Sequence, residues 1–370
     1  MRTKKRSVST NLAKEAKILA NNPTGARRNL KFVPSGCTLI NLACSGTKDG
    51  FLQEGTTNNI VGDSNSGKTY LLFNSMATTY AKLHGDNWNY AVRDHESGVG
   101  FDIRRTFGKR FSKALMYSKI RPGSEATVEA LYLYVLKLAD MGKPFFLGVD
   151  SWDGLTTTLE IKSIAAQMKA LHKKKKEDDI VGVGGYNTEK ARMGSKYLGK
   201  INQVVAETGS ILAIISQTRA NLKFGSFEKH TRSGGDALRF YSFVECWLSV
   251  IKKLGADKKR PIGSLMQMNV KRSKITGKSR RCEFPILYAY GIDNVRGNLS
   301  FLLEEGVVKK ANGVIDFPRF DFVGTIPNFL KFIDDESLEE PLNELVTCVW
   351  EEIELKRENE ATCGRKKKFV

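Results

Sequence analysis

The chain has 370 residues, of which 41% are hydrophobic, enough for one sizeable core and at least one appendage. Its 59 Lys and Arg outnumber its 40 Asp and Glu, giving a formal charge of +19, and such an excess favours a polyanionic partner, nucleic acid or an anionic membrane surface. No apolar run approaches the roughly 20 residues that span a bilayer, and the N-terminal MRTKKRSVST is basic without the apolar stretch of a signal peptide. The six cysteines are scattered, with no CxxC pair and no His at metal spacing. This argues against a disulfide framework or a zinc site and for buried free thiols in a reducing, intracellular compartment.

Residues 1–33 read as a basic arm. Within it TNLAKEAKILANN predicts a short helix, capped by Thr10 or Asn11, with Leu12, Ala16 and Leu19 on one side and Pro23 and Gly25 ending it. From residue 34 short apolar strands alternate with amphipathic stretches. Strands are expected at 57–61, 88–93, 144–149, 210–216, 244–251, 265–270 and 281–288. The first four lie far enough apart for helical crossovers, which calls for a mainly parallel sheet. The last follow closely and are expected to be antiparallel. Beyond about 290, Pro318, Pro327 and Pro341 and the acidic stretch DDESLEEPLNELVTCVWEEIEL predict a small C-terminal α+β domain over 290–370, ending in a disordered basic tail, GRKKKFV.

The strand TNNIV runs into GDSNSGKT, residues 62–69, and then into the apolar-periodic YLLFNSMATTYAK. Strand, glycine loop and helix in that order are the setting a phosphate-binding loop requires. Its glycines let backbone N–H groups close around phosphate oxygens at a helix N-terminus. Gly62, Asp63, Ser64, Asn65, Ser66, Gly67, Lys68, Thr69 and Tyr70 are therefore expected to bind ATP. Lys68 reaches the β- and γ-phosphates, and the Thr69 hydroxyl is a ligand for Mg²⁺. In FFLGVDSWDGLTT, Asp150 ends a buried strand where a carboxylate can hold the metal or its water beside that loop. In WNYAVRDHESG, Glu96 just past a strand, or Asp94 two residues earlier, can orient and deprotonate an attacking water.

Several stretches together resemble the RecA family of recombination ATPases, phage-encoded members most closely, over roughly residues 34–312. These are GDSNSGKT, VRDHESG, VDSWDGLT, EFPILYAYGI, EEGVVKKANG and above all ILAIISQTRANLKFGSFEKHTRSGGDALRFYSFVECWLSVIKKLGA. The resemblance implies a RecA-like P-loop core over 34–289, with the arm gripping a neighbouring protomer. It implies Glu96 as catalytic base and Gln217 as the sensor of the γ-phosphate. Residues 218–233 become a DNA-binding loop, whose Arg219, Lys223, Lys229 and Arg232 suit phosphates and whose Phe224 and Phe227 suit stacking or wedging. The segment GVGGYNTEKARMGSK becomes another DNA loop, with Lys190, Arg192 and Lys196. Arg272 and Lys274 fall where the family has two lysines that reach a neighbour's ATP, and Phe240 where an aromatic couples protomers. The first of that pair is Arg here, keeping charge and changing geometry. Gly100 and Ile103 stand where the family has adenine contacts.

The insert EIKSIAAQMKALHKKKKEDD is long, and its Lys173–Lys176 run reads as a solvated helix end rather than a DNA contact. The implied activity is a DNA-dependent ATPase that forms a homo-oligomeric helical filament on single-stranded DNA and pairs it with double-stranded DNA. The setting is a bacterial or phage-infected cytoplasm, with single-strand-binding and mediator proteins as further partners. A ring-forming helicase of the same superfamily and a nucleotide-switched DNA-binding protein are the alternatives.

Overall fold

The computed structural model describes residues 30–96, 98–172, 186–220, 230–232, 235–255, 257 and 259–362. Residues 1–29 with the expected arm helix, the Lys173–Lys176 run, Lys223, Phe224, Phe227, Lys229 and the basic tail lie outside them.

The strands of the main sheet are β1 (Thr56–Gly62), β2 (Asn89–Asp94), β3 (Leu115–Lys119), β4 (Phe145–Asp150), β5 (Ile211–Ala220), β6 (His230–Arg232), β7 (Val244–Leu254), β8 (Gly263–Ser273), β9 (Arg280–Leu287) and β10 (Gly291–Ile292). They form one ten-stranded sheet in the order β10-β9-β8-β7-β1-β5-β4-β2-β3, with β6 paired off this path to β5. The run from β7 to β3 is parallel, and β8, β9 and β10 continue it antiparallel. The expected mixed sheet is therefore present, with all seven predicted strands in place. The edge strand β3 was not foreseen, because LMYSK is short and follows directly on the helix Lys109–Ala114.

Helices cover both faces. They are α1 (Thr38–Ser45), α2 (Lys68–Thr79), α3 (Val128–Ala139), α4 (Thr158–His172), α5 (Tyr186–Glu207), α6 (Gly235–Tyr241), α7 (Asn294–Glu304), α8 (Ile326–Asp335) and α9 (Glu339–Thr362). One face of the sheet packs on α1, α2, α7 and the C-terminal elements, and the other on α3, α5 and α6. Both faces being covered explains why β4 and β1 are buried along their whole length. Polar residues inside β1 pin its register. Asn58 Oδ1 accepts from the backbone N of Val244 on β7 at 3.1 Å, and Asn59 Oδ1 accepts from Ser216 Oγ on β5 at 2.9 Å. A slip of one residue would strand these buried amides.

Two boundaries differ from the sequence reading. Phe32 and Val33, assigned to the arm, pair with Leu52–Gln53, and Val33 is fully buried. The C-terminal region carries the expected α+β content, in three antiparallel strands, β11 (Lys309–Ala311), β12 (Val314–Phe317) and β13 (Phe322–Thr325), flanked by α7, α8 and α9. Yet β10 still belongs to the main sheet, and one apolar cluster runs from α1 and α2 through Leu299 and Phe329 to Val346. The acidic helix α9 is clipped to basic core residues, through Lys278–Glu354 at 2.9 Å, Lys278–Glu358 at 2.5 Å, Arg280–Glu354 and Lys48–Glu340. Such surface pairs contribute about 0.2–1 kcal/mol each. Burial of Leu342, Leu345 and Val346, at about 1.5–3 kcal/mol per side chain, is the larger force and the pairs set orientation.

The start of β8 is wedged between β7 and β9. A Cβ added at Gly263 would meet the Ile286 carbonyl oxygen at 2.4 Å, whereas one at Gly100 meets nothing within 4 Å. Gly263→Ala should lower unfolding free energy by about 1–3 kcal/mol in urea denaturation, and Gly100→Ala should stay within about 0.5 kcal/mol of the parent. Equal stability of the two variants would mean that β8 and β9 are not packed so closely.

Candidate nucleotide site and its link to the β5–β6 hairpin

Parallel register brings four strand ends to one edge. Gly62 stands opposite Gln217 on β5 and opposite Leu248 on β7, Val149 opposite Ile214, and Asp94 opposite Asp150. The loops after β1, β2, β4 and β5 therefore share one crevice at the carboxyl ends of the strands, the general place for ligands in such sheets.

The glycine loop from Gly62 has the backbone of a phosphate cradle. Asn65 and Gly67 take left-handed conformations, at φ 61° and 78°. A Cβ at Gly62 would lie 2.5 Å from the Leu248 carbonyl oxygen and 2.5 Å from Ser66 Oγ, so only glycine lets the loop lie against β7. Helix α2 begins at Lys68 with Gly67 as its cap and no side chain on its first N–H groups, which leaves them available to an anion. Lys68 folds back to donate to the Asp63 carbonyl at 2.6 Å and to Ser66 Oγ at 3.4 Å. Thr69 Oγ1 donates to Asp150 Oδ2 at 2.6 Å. Hydroxyl and carboxylate thus converge as a metal's oxygen ligands would, and the donor set suits Mg²⁺ and a polyphosphate. The Tyr70 ring packs at 5.8 Å from Phe101 and 5.4 Å from Phe107, and its hydroxyl lies where a Cβ on Gly291 would come within 2.1 Å of it.

Acidic groups dominate the crevice. Burial pushes the Asp150 carboxyl up to about 6, with Glu96 and Asp94 adding to the rise and Thr69 and Lys68 opposing it. Burial lowers the Lys68 ammonium, against the pull of Asp150, Glu96, Asp63 and Asp153. Glu96 Oε1 accepts from Ser151 Oγ and from Gln217 Nε2, the latter at 3.0 Å. Asp94, the other expected carboxylate, is fully buried and committed elsewhere: it accepts from Tyr117 and from the backbone N of Glu96 at 3.0 Å. Between the two carboxylates only Glu96 faces the crevice, and Asp94 holds its loop.

Two residues tying this crevice together, Asp153 and His95, went unassigned in the sequence, and Thr218 was expected only as the first residue of a DNA-binding loop. Asp153 Oδ2 accepts from the Gln217 backbone N at 2.9 Å, and a second Asp three residues after Asp150 in VDSWDG was the available signal. Thr218 Oγ1 donates to Asp63 Oδ1. His95, whose imidazole is pushed down to about 4 by burial and by Arg93, donates its backbone N to the Asp150 carbonyl at 2.6 Å.

The expected DNA-contact residues sort differently. β5 continues through Ala220, and β6 returns beside it, Thr218 opposite Arg232 and Arg219 opposite Thr231, so the expected loop begins and ends as a hairpin. Lys190, Arg192 and Lys196 lie in helix α5 rather than in a loop. Arg192 pairs with Glu189 one turn away at 3.0 Å, Lys190 donates to the Trp152 carbonyl at 2.9 Å, and Lys196 sits 5.4 Å from the Tyr197 ring. The Glu189–Arg192 pair suits a helix, which the glycine-rich approach to the segment did not make legible. Arg272 and Lys274 donate to the last carbonyls of α6, on Arg239 and Phe240, favourable for cations at a helix C-terminus. They stand far from their own glycine loop: Arg272 is level with Glu245 and Asn59, and Lys274 bonds back to Phe243, which itself bonds to Thr57. At about 3.3 Å per residue, the five residues from Thr57 to Gly62 put Lys274 some 16 Å back along the strands. Phe240 is 67% exposed between them.

A family described as the RecA N-terminal domain matches residues 157–293. The chain is similar to Protein RecA of Corynebacterium urealyticum, 26% identical over 330 residues that cover 85% of this chain and 79% of the relative. It is likewise similar to Protein RecA of Corynebacterium glutamicum, at 28% over 77% and 68%, and of Rhodococcus jostii, at 27% over 78% and 74%. Among the described residues no helix is long and apolar enough to cross a membrane.

The raised Asp150 carboxyl has a consequence for stability. The folded chain holds this proton more tightly than the unfolded chain, so stability falls as pH rises from about 3.8 to about 6 and the cost is complete above that. Without nucleotide or Mg²⁺, Asp150→Asn should therefore be more stable than the parent at pH 7.5, by on the order of 2 kcal/mol. The gap should close as pH falls towards 4. Thermal melts of both proteins across that range test it, and a variant less stable at pH 7.5 would mean that Lys68 and Thr69 more than offset the burial of the charge.

Proposed function

We propose that the chain, which is similar to Protein RecA of several bacteria, is a RecA-family DNA-dependent ATPase that assembles as a helical filament on single-stranded DNA and promotes homologous pairing and strand exchange. The observation that carries this reading is the continuity at Gln217. Its side chain bonds Glu96 at 3.0 Å in the nucleotide crevice, and the next residue opens the β5–β6 hairpin. One amide thus spans the place where ATP would be cut and the root of the segment proposed to grip DNA.

In this reading the N–H groups of the α2 first turn and Lys68 hold the phosphates, which brings the nucleotide's Mg²⁺ within reach of Thr69 and Asp150. Bound Mg²⁺ would supply charge neutralisation at the transferring phosphoryl group. Glu96, held between Ser151 and Gln217, takes the proton of the attacking water. When Gln217 turns from Glu96 to the γ-phosphate, the start of the hairpin moves with it. Nucleotide and DNA then raise each other's affinity by the same factor. Arg219 and Arg232 at the hairpin, with Lys190, Arg192 and Lys196 on α5, are the proposed phosphate contacts. The distance of Arg272 and Lys274 from their own glycine loop supports a role on a neighbour's nucleotide, with exposed Phe240 at the same junction. A head-to-tail contact of this kind builds an open helix unless its rotation closes.

The test is ATP turnover with and without single-stranded DNA, on samples also imaged by negative stain. Turnover stimulated by DNA together with helical filaments is the expected result. Closed hexamers would favour a helicase, and turnover indifferent to DNA a nucleotide switch. Glu96→Gln should bind ATP without hydrolysing it and hold DNA at least as tightly as the parent, because the amide keeps the shape and cannot take a proton. Normal hydrolysis by this variant would remove Glu96 from the mechanism.

A second measurement addresses the interface. Arg272→Ala and Lys274→Ala should each reduce turnover by about 10-fold or more while a lone protomer still binds nucleotide, as when a residue acts in trans on a neighbour's phosphate. Mixing either with Lys68→Ala should restore part of the activity at mixed interfaces. Absence of rescue at every ratio would mean that both residues act within their own subunit or only on DNA.

A further inference from the structure

Two consecutive residues at the root of the β5–β6 hairpin are held by three carboxylates from three different loops. Gln217 gives its backbone N to Asp153 at 2.9 Å and its side-chain amide to Glu96 at 3.0 Å. Thr218 gives its hydroxyl to Asp63. Asp153 follows β4 and Glu96 follows β2, but Asp63 belongs to the glycine loop itself, one residue after Gly62. The Asp63–Thr218 bond is therefore a direct tie between the phosphate cradle and the hairpin, and it bypasses Gln217.

Asp63 is also poorly placed for a loop that binds anions. Its backbone carbonyl takes the Lys68 ammonium at 2.6 Å, and its carboxylate charge bears on Lys68 together with those of Glu96, Asp150 and Asp153. A polyphosphate in the cradle would draw Lys68 away from that carbonyl. It would also bring its own negative charge beside the Asp63 carboxylate, and like charges at such range repel by several tenths of a kcal/mol or more even near water.

We propose that the Asp63–Thr218 hydrogen bond is a latch that holds the hairpin root against the glycine loop and that a bound triphosphate opens. The latched and open positions are two states of the hairpin root, and nucleotide binds the open one better because it need not meet Asp63 in its latched place. The proposal rests on the reading of the hairpin as a DNA contact only for its second consequence, that DNA also prefers the open state. Thr218 is thus a positioning residue, acting on the nucleotide through Asp63. The latch explains why a carboxylate can sit inside a phosphate-binding loop: with no phosphate present its charge is occupied by a hydroxyl donor rather than by solvent alone.

The experiment compares the parent protein, Thr218→Val and Thr218→Ser in two titrations. In the first, a non-hydrolysable ATP analogue with Mg²⁺ is titrated without DNA. Thr218→Val, which keeps the shape and loses the donor, should bind it about 3- to 10-fold more tightly, since a lost hydrogen bond to a partly exposed carboxylate shifts a two-state equilibrium by about that much. Thr218→Ser, which keeps the hydroxyl, should match the parent. In the second, a labelled oligo-dT strand is titrated without nucleotide and with the analogue. Thr218→Val should bind it more tightly without nucleotide by a similar factor, so that the ratio between the two nucleotide conditions shrinks. Analogue affinity of Thr218→Val equal to or weaker than the parent's overturns the latch, whatever DNA does. A parent protein that binds the oligonucleotide in neither condition overturns the DNA reading instead, and the first titration still decides the latch.

Discussion

The functional crevice depends on the lateral alignment of four parallel strands. The carboxyl ends of β1, β4 and β2 and the later part of β5 come to one edge, Gly62 beside Gln217 and Asp94 beside Asp150, and each strand or its loop contributes one chemical part. Hydrophobic burial drives the sheet together but does not choose a register, because Val, Ile and Leu pack almost equally well after a slip of two residues. The polar residues inside β1 do choose. Asn58 and Asn59 bond to β7 and β5 on either side, and a slip would leave them unpaired at about 1–3 kcal/mol each. A strand with TTNN in its first half, unusual for a central position, is thus what places the glycine loop opposite Gln217.

Charge organises what alignment brings together. The charges of Asp63, Glu96, Asp150 and Asp153 all bear on Lys68, and burial already holds the Asp150 carboxyl at about 6. Such a group of acids is uncomfortable by itself and suited to a cation. Hydroxyl and amide donors from Thr69, Ser151, Gln217 and Thr218 share out the carboxylate oxygens. Each of these bonds is one that a phosphate, a metal or a water could replace. The crevice is therefore linked by bonds that ligands exchange rather than by packing, which is the property a switch needs. By contrast the contacts of Asp94 with Tyr117 and the Glu96 backbone are buried and keep the frame fixed.

Opposite functions sit at opposite ends of the same strands. The glycine loop occupies the carboxyl ends, while Arg272, Lys274 and Phe240 gather beyond the amino end of β7 around the last turn of α6. Under the proposed function, a crevice at one end of the strands and a basic, aromatic-bearing knuckle at the other would suit head-to-tail stacking. The acidic helix α9 grips the neighbouring β8–β9 turn through Lys278 and Arg280. It fixes that turn from the side and leaves Arg272 and Lys274 to α6.

The sequence by itself determined the parts that depend on local chemistry. The strand–GDSNSGKT–helix succession fixed the phosphate cradle, since left-handed backbone at Asn65 and Gly67 and an uncapped helix start follow from neighbours in the chain. Seven strands were legible as apolar runs, and the parallel arrangement of the early ones followed from the spacing between them. Tertiary structure decided what depends on residues distant in sequence. That Glu96 rather than Asp94 faces the crevice depends on Tyr117, on a strand too short to announce itself. That Asp63 meets Thr218, 155 residues away, depends on β1 and β5 being neighbours. Lys190, Arg192 and Lys196 are helical because α5 packs its Leu198, Ile201 and Val205 against the sheet, which overrides the glycines just upstream. Periodicity and motif report forces within a few residues of one another. The pairing of strands and the commitment of each carboxylate are set by contacts between segments whose meeting only the folded chain specifies.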